Sequence, residues 1–426
     1  MRTSHTQSRR STRRSHRRWV ASVLAAVAAG CARPTVPTIG AEPELRIGLA
    51  AARPSVILGG SEGGELILTD DATGQLIGSI PAGVSWSVVP DPAGVRLLRP
   101  DGTTSEPHPG IFAVNVTEGR FAMADGRGYR GRLDLVRNPA GILLVNRVPV
   151  ESYVASVIAA ELGARRPDEL SALLAQAIVS RTFALRNRGR WEAEGLDAYA
   201  DIRDQVYNGV AGETPQAWDA VHATAGQVIV YRGELIDAYF HSTCGYRTAG
   251  VEEAFKSAAA RPYLRPVSDE SGGGRYYCDI SPRFRWREEW DGSKLRAILS
   301  RTLPAVMNVG GDGLQPIADI EVSRTTPSGR VGELRIVFPR GEVRVPGPDV
   351  RNVLRPEADR ALGSQTFQLH VTREGGRVTR VVAAGAGWGH GVGFCQWGAV
   401  GRARAGQDYR RILTAYFPGT TVERLY

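Results

Sequence analysis

Two charged residues lie on the apolar faces of two successive predicted helices. The stripe of the first helix runs through Val154, Val157 and Ile158. Glu161 lies four residues after Val157 and continues this stripe. Burial of a carboxylate is costly, and loss of solvation raises the pKa of a glutamate, which suits proton donation to a leaving oxygen. We therefore predict that Glu161 is a general acid.

The second helix places Arg181 on its inner face, four residues from both Ala177 and Leu185. One interpretation is a buried, structural ion pair between Glu161 and Arg181. In a second interpretation, Glu161 lies near its helix end and bends out to water. In a third, Arg181 binds a carboxylate of the substrate. Glu161 then stays protonated, whereas an adjacent arginine would lower its pKa.

One histidine and three cysteines are candidate ligands of a metal ion. His241 and Cys244 are three residues apart in the sequence HSTC, and Cys278 and Cys395 follow later. Three cysteines and one histidine are a recognised tetrahedral zinc set, so these four residues are predicted to hold a structural zinc ion. No other cofactor is predicted.

Other interpretations of these residues stay open. In an exported protein, a disulfide between Cys244 and Cys278 is about as plausible as zinc. Cys395 would then be a small buried apolar residue. His241 would instead orient Glu161.

The stretch AGWGHGVGFCQWGA, residues 386–399, carries a glycine at nearly every second position. Glycine weakens helices and strands, so such a run needs positive φ angles or the close approach of another backbone or a ligand. We predict that it brings His390 and Cys395 close to the HSTC loop. The alternative for His390 is a bond to a backbone carbonyl.

The charge of the chain is concentrated at its start. The formal net charge is +9 over 426 residues. Seven arginines precede the apolar run WVASVLAAVAAG, so residues 31–426 carry only about +2. This distribution argues against nucleic-acid binding. A basic stretch, a short apolar core and small residues predict a signal peptide at 1–30, hence export to the periplasm or cell envelope.

The rest of the chain is predicted to be an α+β protein in which strand-rich segments surround a helical hairpin. Cys31 resembles a lipidation site, with simple cleavage near Ala29 as the alternative. A Pro-rich tether spans 31–44, and short apolar runs broken by turn residues make 45–146 β-rich. The main region is 147–426, with a mixed α/β subdomain at about 284–381.

Five blocks resemble the stage II sporulation protein D / amidase-enhancer family. In chain order they are VPVESYVASVIAAELGARRPDELSALLAQAIVSRTFAL, DQVYNG, YFHSTCGYRT, GWGHGVGFCQWGA and YRRILTAYFPGT. They recur in the family's order across residues 148–420. The resemblance implies a protein of bacterial cell-wall peptidoglycan, in which Glu161 matches the family's catalytic acid and Arg181, in SRT, matches the arginine of its ART block. Glu161 and Arg181 are therefore the candidate catalytic residues.

The family's sporulation members are lytic transglycosylases that cut glycan strands stripped of stem peptides. The resemblance thus implies a glycan-binding groove walled by the glycine run. Candidate substrate-binding residues in the matching blocks are Gln205, Tyr207, His241, Ser242, Thr243, His390 and Gln396.

Two other functions are considered. The first is a non-catalytic peptidoglycan-binding protein that enhances an N-acetylmuramoyl-L-alanine amidase. The second, a zinc amidase acting on stem peptides, is less favoured because three cysteines would close a structural site. The expected partners are glycan strands and a cell-wall amidase, with membrane contact only through a lipid anchor.

Overall fold

The computed structural model describes residues 39–309 and 314–426. The predicted signal peptide, the predicted lipidation of Cys31 and most of the predicted tether lie outside the described residues. Within the described ranges, no helix combines the length and the apolar character needed to cross a bilayer.

The N-terminal part of the described chain is built from antiparallel strands. They are β1 (Glu44–Arg53), β2 (Val56–Gly60), β3 (Leu66–Asp70), β4 (Leu76–Ile80), β5 (Ser85–Asp91), β6 (Gly94–Leu98), β7 (Gly110–Asn115), β8 (Ala122–Ala124), β9 (Arg127–Tyr129), β10 (Arg132–Asn138) and β11 (Gly141–Pro149). One sheet contains the order β1-β11-β10-β7-β3-β4, and the other has the order β6-β5-β2-β8-β9. Alternate side chains of β3 are buried, as expected for a strand with one face on a core.

A helical hairpin follows directly on β11. It consists of α1 (Val150–Leu162) and α2 (Leu170–Arg186). Gly163, with a φ of 67°, ends α1 and donates its N–H to the carbonyl of Ala159. A 3₁₀ turn at Pro167–Glu169 leads into α2. The predicted apolar stripe of α1 is fully buried, so the hairpin is a core element.

The remaining elements are short. In chain order they are β12 (Ala198–Tyr199), α3 (Pro215–Ala223), β13 (Gln227–Tyr231), β14 (Glu234–Leu235), β15 (Phe240–His241), α4 (Val251–Ala254), β16 (Glu270–Gly272), β17 (Arg275–Tyr276), β18 (Arg285–Asp291), α5 (Gly292–Met307), β19 (Asp319–Thr325), β20 (Val331–Phe338), β21 (Gly341–Pro346), α6 (Gly347–Val353), β22 (Phe367–Glu374), β23 (Arg377–Ala386), β24 (Phe394–Cys395), α7 (Gln396–Arg404), α8 (Tyr409–Tyr416) and β25 (Thr421–Arg424).

Two separate apolar clusters account for most of the buried side chains. The larger one joins the N-terminal sheets, the hairpin and the C-terminal helices α7 and α8. The smaller one is formed by residues 290–383 alone, where the sheets β18-β23-β22 and β19-β20-β21 pack with α5 and α6. The predicted α+β class, with strands around a helical hairpin, is confirmed.

The C-terminal half returns to the hairpin at two places. β25 pairs with β13, and Leu425 donates its N–H to the carbonyl of Gly226. β24 pairs in parallel with β15, so His241 lies opposite Cys395. This second pairing carries the start of α7 to the end of α1, where the candidate site is found.

Candidate active site

Glu161, in the last turn of α1, lines a cleft of about 780 Å³. Loops near residues 202–206 and 255–258 also line this cleft. Gln396, the first residue of α7, donates Nε2–H to Oε2 of Glu161 over 3.1 Å. The end of α1, the loop that contains Val206 and the start of α7 therefore position the carboxyl group of Glu161 at the cleft.

The pKa of Glu161 is raised above its ordinary value of 4.5 because the side chain is largely removed from water. Hydrogen bonds from the Gln396 amide and from the Val206 backbone act in the opposite direction. Burial is the largest of these effects. Glu161 consequently keeps its proton to a higher pH than a solvated glutamate, as a general acid requires.

A chain of buried amides holds Gln396 in place. Its Nε2 lies 3.5 Å from Oε1 of Gln176, and Nε2 of Gln176 donates to Oγ of Ser180 over 3.0 Å. Gln176 and Ser180 are fully buried on α2. Three helices thus determine where the Gln396 amide meets the acid.

Asp204 is the second carboxylate that lines the described cleft, and its oxygens are occupied. They accept hydrogen bonds from Arg190 Nη1 at 3.1 Å, Trp191 Nε1 at 2.9 Å and the Tyr199 backbone N–H at 2.9 Å. Asp204 is therefore committed to holding its loop. Among the described cleft-lining residues, this leaves Glu161 as the carboxyl group without an ion-pair partner.

His390 also lines the cleft, but both of its ring nitrogens are used. Nδ1 accepts from the backbone N–H of Val392 at 3.1 Å, which fixes the proton on Nε2, and Nε2–H donates to the carbonyl of Phe240 at 2.8 Å. Burial, the nearby His241 and two arginines lower the pKa of His390 to about 3. A neutral ring with no free nitrogen is not a base. The bond to Phe240 is the backbone-carbonyl alternative considered from the sequence.

Arg181 does not reach Glu161. It is fully buried and donates through Nε and Nη2 to Glu151, at 3.0 and 2.5 Å, in the first turn of α1. Its Nη1 donates to the carbonyl of Gln227 at 3.0 Å. The alternative of a Glu161–Arg181 ion pair is wrong, because Arg181 pairs with Glu151 at the N-terminal end of α1, whereas Glu161 lies at its C-terminal end. This placement also gives Arg181 no contact with the cleft, so it supports a structural role and not substrate binding.

Gln205 and Tyr207 were predicted to bind substrate, yet both are buried behind the cleft wall. Oε1 of Gln205 accepts from Tyr153 at 3.2 Å, and the hydroxyl of Tyr207 donates to Asn146 at 2.7 Å. These contacts hold the intervening Val206, whose backbone bonds Glu161. Neither Gln205 nor Tyr207 is among the residues that line the cleft.

His241, Ser242 and Thr243 lie beneath the cleft. Nδ1 of His241 is bonded to the carbonyl of Val392 at 3.1 Å, and burial lowers the pKa of His241 to about 3. Thr243 is buried and its hydroxyl lies 2.7 Å from that of Ser281. The burial of His241 and Thr243 does not support their predicted contact with substrate. Ser242 is half-buried, and its contact with substrate stays a prediction.

The three described cysteines converge, but His241 is not the fourth member of their cluster. One potential ligand atom each from Cys244, Asp269, Cys278 and Cys395 lies within 4.8 Å of the others. The cluster therefore differs from the predicted set in one position, where Asp269 and not His241 is the fourth member. Nδ1 of His241 is bonded to the carbonyl of Val392, and its buried Nε2 has no hydrogen-bond partner among the described residues.

The glycine run does make the predicted close approach to the HSTC loop. Gly387 and Gly393 have φ angles of 82° and 70°, and an added Cβ would lie 2.6 Å from the carbonyl oxygen of Thr243 or 2.3 Å from that of Tyr239. Another backbone, and not a ligand, is what approaches these two glycines. His390 and Cys395 are brought to the site by this contact.

Some functional residues were missed from the sequence. Gln176 and Ser180, four residues apart on the inner face of α2, offered a signal in their polar character. Glu151, the partner of Arg181, and Asp269 offered none, because only the folded chain brings them to their partners.

Comparisons with known proteins find two regions of similarity in this chain. The family model "Stage II sporulation protein" (SpoIID) matches residues 138–231, which include Glu161 and Arg181. A second model, "Domain of unknown function (DUF8618)", matches residues 275–393. The first range covers the hairpin, and the second covers the smaller apolar core.

Three relatives extend the similarity. An uncharacterized protein of Brachyspira hyodysenteriae is 29% identical over 70% of this chain and 73% of its own length. Stage II sporulation protein D of Bacillus subtilis is 28% identical over 65% of this chain and 75% of its own length. The amidase enhancer of the same species is 26% identical over 59% of this chain but only 38% of its own length. The chain therefore carries a SpoIID domain, and its predicted resemblance to the stage II sporulation protein D / amidase-enhancer family is confirmed.

Proposed function

We propose that this protein is a peptidoglycan lytic transglycosylase in which Glu161 serves as both general acid and general base. The observation that carries the proposal is the single partly buried carboxyl group with a raised pKa at the described cleft. The family similarity supports a role related to the cell wall and a location at the envelope.

A single carboxyl group is enough for this reaction. Glycoside hydrolases usually need two, one as the acid and one as the nucleophile or base. In lytic cleavage the C6 hydroxyl of muramic acid attacks the anomeric carbon and breaks the glycosidic bond. Glu161 gives its proton to the departing oxygen and then takes the proton of the C6 hydroxyl. The products are a free hydroxyl end and a 1,6-anhydro-muramic end, and Glu161 is protonated again.

The charge of the cleft suits a glycan that carries carboxylates. Arg190, Arg203 and Lys256 line it, and each forms a salt bridge with one carboxylate. Muramic acid without a stem peptide exposes its lactyl carboxylate. These salt bridges offset part of the positive charge, but each cation keeps N–H donors that can bind a lactyl carboxylate, which supports glycan stripped of stem peptides as the substrate.

The test is incubation of the purified protein with stripped glycan strands, followed by mass spectrometry of the products. The unaltered protein is expected to release anhydro-muramic ends. Glu161→Gln keeps the size and the hydrogen bonding of the side chain but donates no proton, so it is expected to lose activity by at least 10²-fold. Glu192→Gln, a matched change at an exposed carboxylate outside the cleft, is expected to keep it.

Two outcomes would contradict the proposal: an active Glu161→Gln protein, or an unaltered protein that yields no anhydro product. The second candidate is a non-catalytic enhancer of a cell-wall amidase, which the similarity to the amidase enhancer favours. That function predicts no cleavage by the protein alone, together with faster release of stem peptides when an amidase is added.

A further inference from the structure

A buried cluster of metal-binding groups lies on the other side of Gln396 from the cleft. Cys244, Asp269, Cys278 and Cys395 come from four separate segments, and all four are at most 1% exposed. Each offers one ligand atom, and these atoms lie within 4.8 Å of one another. The carboxylate in this set belongs to no motif in the sequence.

The spacing and the donor types fit one tetrahedral ion. Zinc binds thiolate sulfur at about 2.3 Å, so two sulfurs on the same ion are about 3.8 Å apart. The sulfurs of Cys244 and Cys278 are 3.5 Å apart, far longer than the bond of about 2.05 Å in a disulfide. Three thiolates and one carboxylate supply four donors of types that Zn²⁺ binds in tetrahedral geometry.

Hydrogen bonds from neighbouring groups hold Cys395 and Asp269 in fixed positions. Sγ of Cys395 accepts backbone N–H groups from Cys244 at 3.2 Å and Gly398 at 3.3 Å. Oδ1 of Asp269 accepts from the hydroxyl of Tyr416 at 2.6 Å, and its Oδ2 accepts from the backbone of Cys278 at 2.9 Å. Such outer hydrogen bonds orient metal ligands.

The charge of the cluster is also partly compensated. Nη2 of Arg402 lies 3.4 Å from Oδ1 of Asp269. Three thiolates and a carboxylate carry four negative charges, of which a divalent cation neutralises two and Arg402 a third. Without a cation, four deprotonated groups this close together in a buried site would repel one another.

We propose that Cys244, Asp269, Cys278 and Cys395 bind one Zn²⁺, and that this ion fixes the start of α7 and with it Gln396. Cys395 is joined to Gln396 by a peptide bond, and Gln396 contacts Glu161. Through Cys395 and Cys244, the metal ion would tie the residue before Gln396 to the HSTC loop. Zinc binding itself does not depend on the proposed reaction, so each is tested without the other.

The first experiment counts metal and thiols in the purified full chain, with Cys31→Ser to simplify the thiol count. We expect one zinc per chain by elemental analysis and three thiols after denaturation with a chelator. Cobalt alone, added to the metal-free protein, is expected to give the sulfur-to-cobalt absorption and strong visible bands of a tetrahedral thiolate site. Absence of zinc together with one titratable thiol would overturn the proposal in favour of a Cys244–Cys278 disulfide.

Two variants identify the fourth ligand. Asp269→Asn is expected to weaken zinc binding at least tenfold, whereas His241→Asn is expected to keep one zinc per chain. The reverse result would overturn the assigned set. Since Asp269→Asn is also open to a folding defect, the cobalt spectrum of the unaltered protein provides the independent measurement.

Hydrogen exchange tests the link to Gln396. Removal of zinc is expected to speed exchange of the backbone amides at 394–398 at least tenfold, while those at 154–158 within α1 stay protected. Equal protection of residues 394–398 with and without zinc would overturn the positioning role.

Discussion

Nε2 of Gln396 lies 3.1 Å from Oε2 of Glu161, across 235 residues of sequence. The contact joins the end of α1 to the start of α7, and it stabilises the charged form of a carboxyl group that burial destabilises. The proton affinity of the acid is therefore set by two segments that no local pattern connects.

Removal of the Gln396 amide is expected to raise the pKa of Glu161 further. Gln396→Leu keeps the side chain near its original size but removes a hydrogen bond that lowers the pKa of Glu161, so the raising effect of burial is less offset. Carbon-13 NMR titration of labelled glutamate carboxyl groups measures the change, with Glu161→Gln to assign the signal. Gln407→Leu, at another buried glutamine of the same region, is the control and is expected to leave that pKa unchanged. A pKa of Glu161 that stays the same in Gln396→Leu would contradict the assigned contact.

Glu161→Gln is expected to stabilise the protein as the pH rises. Because the folded-state pKa of Glu161 lies above its ordinary value of 4.5, the folded chain holds its proton longer than the unfolded chain. The contribution of this glutamate to stability is fully present below about pH 4.5 and declines as the pH rises through the folded-state pKa. Each unit of pKa difference corresponds to about 1.4 kcal/mol.

Urea unfolding at several pH values tests this expectation. The difference in the free energy of unfolding between Glu161→Gln and the unaltered protein is expected to grow with pH and then level off. A difference that shrinks with pH would show that the carboxylate is stabilised by folding. Glu192→Gln, on the surface, is the control for general charge effects.

Loss of Glu151 is expected to destabilise the fold strongly. Glu151→Gln leaves the fully buried guanidinium of Arg181 without its carboxylate and weakens the acceptor for Gly226 and Tyr426. Breaking a buried pair from one side typically costs about 3–5 kcal/mol. Chemical denaturation measures this loss.

Asp168→Asn provides the matched control. Asp168 pairs with Arg166 at 2.7 Å, and both side chains are more than half exposed. The cost of losing such a surface pair is expected to be small, because water and salt screen the two exposed charges. Similar costs for Glu151→Gln and Asp168→Asn would mean that the ion pair of Arg181 is not the buried anchor described above.

Ile202 is expected to contribute to ligand binding and little to stability. It lines the cleft and is 93% exposed, so Ile202→Ala is expected to change the free energy of unfolding by no more than about 0.5 kcal/mol. Sedimentation with purified peptidoglycan is expected to show weaker binding of Ile202→Ala. Leu76→Ala, at a strand residue that is 69% exposed, is the control and is expected to bind normally. Equal binding of peptidoglycan by the two variants would show that Ile202 does not contribute to the binding surface.

Local periodicity was sufficient to predict the hairpin and the inward position of Glu161. A helix repeats every 3.6 residues, so the residues that share its apolar stripe are fixed by spacing alone. The approach of the glycine run to the HSTC loop was also foreseeable, because a glycine at nearly every second position indicates that another group packs closely there, before that group is known.

Partners across long stretches of sequence were decided only by the tertiary structure. Arg181 was expected to face Glu161 or substrate. The crossing of the two helices instead aligns it with Glu151, which lies ten residues before Glu161 in α1. The fourth member of the cysteine cluster is Asp269 because its loop reaches the cluster, whereas His241 is turned toward Val392. The sequence by itself determined which residue types face inward. Which of them meet depends on how helices and loops pack in space, and no spacing along the chain encodes that packing.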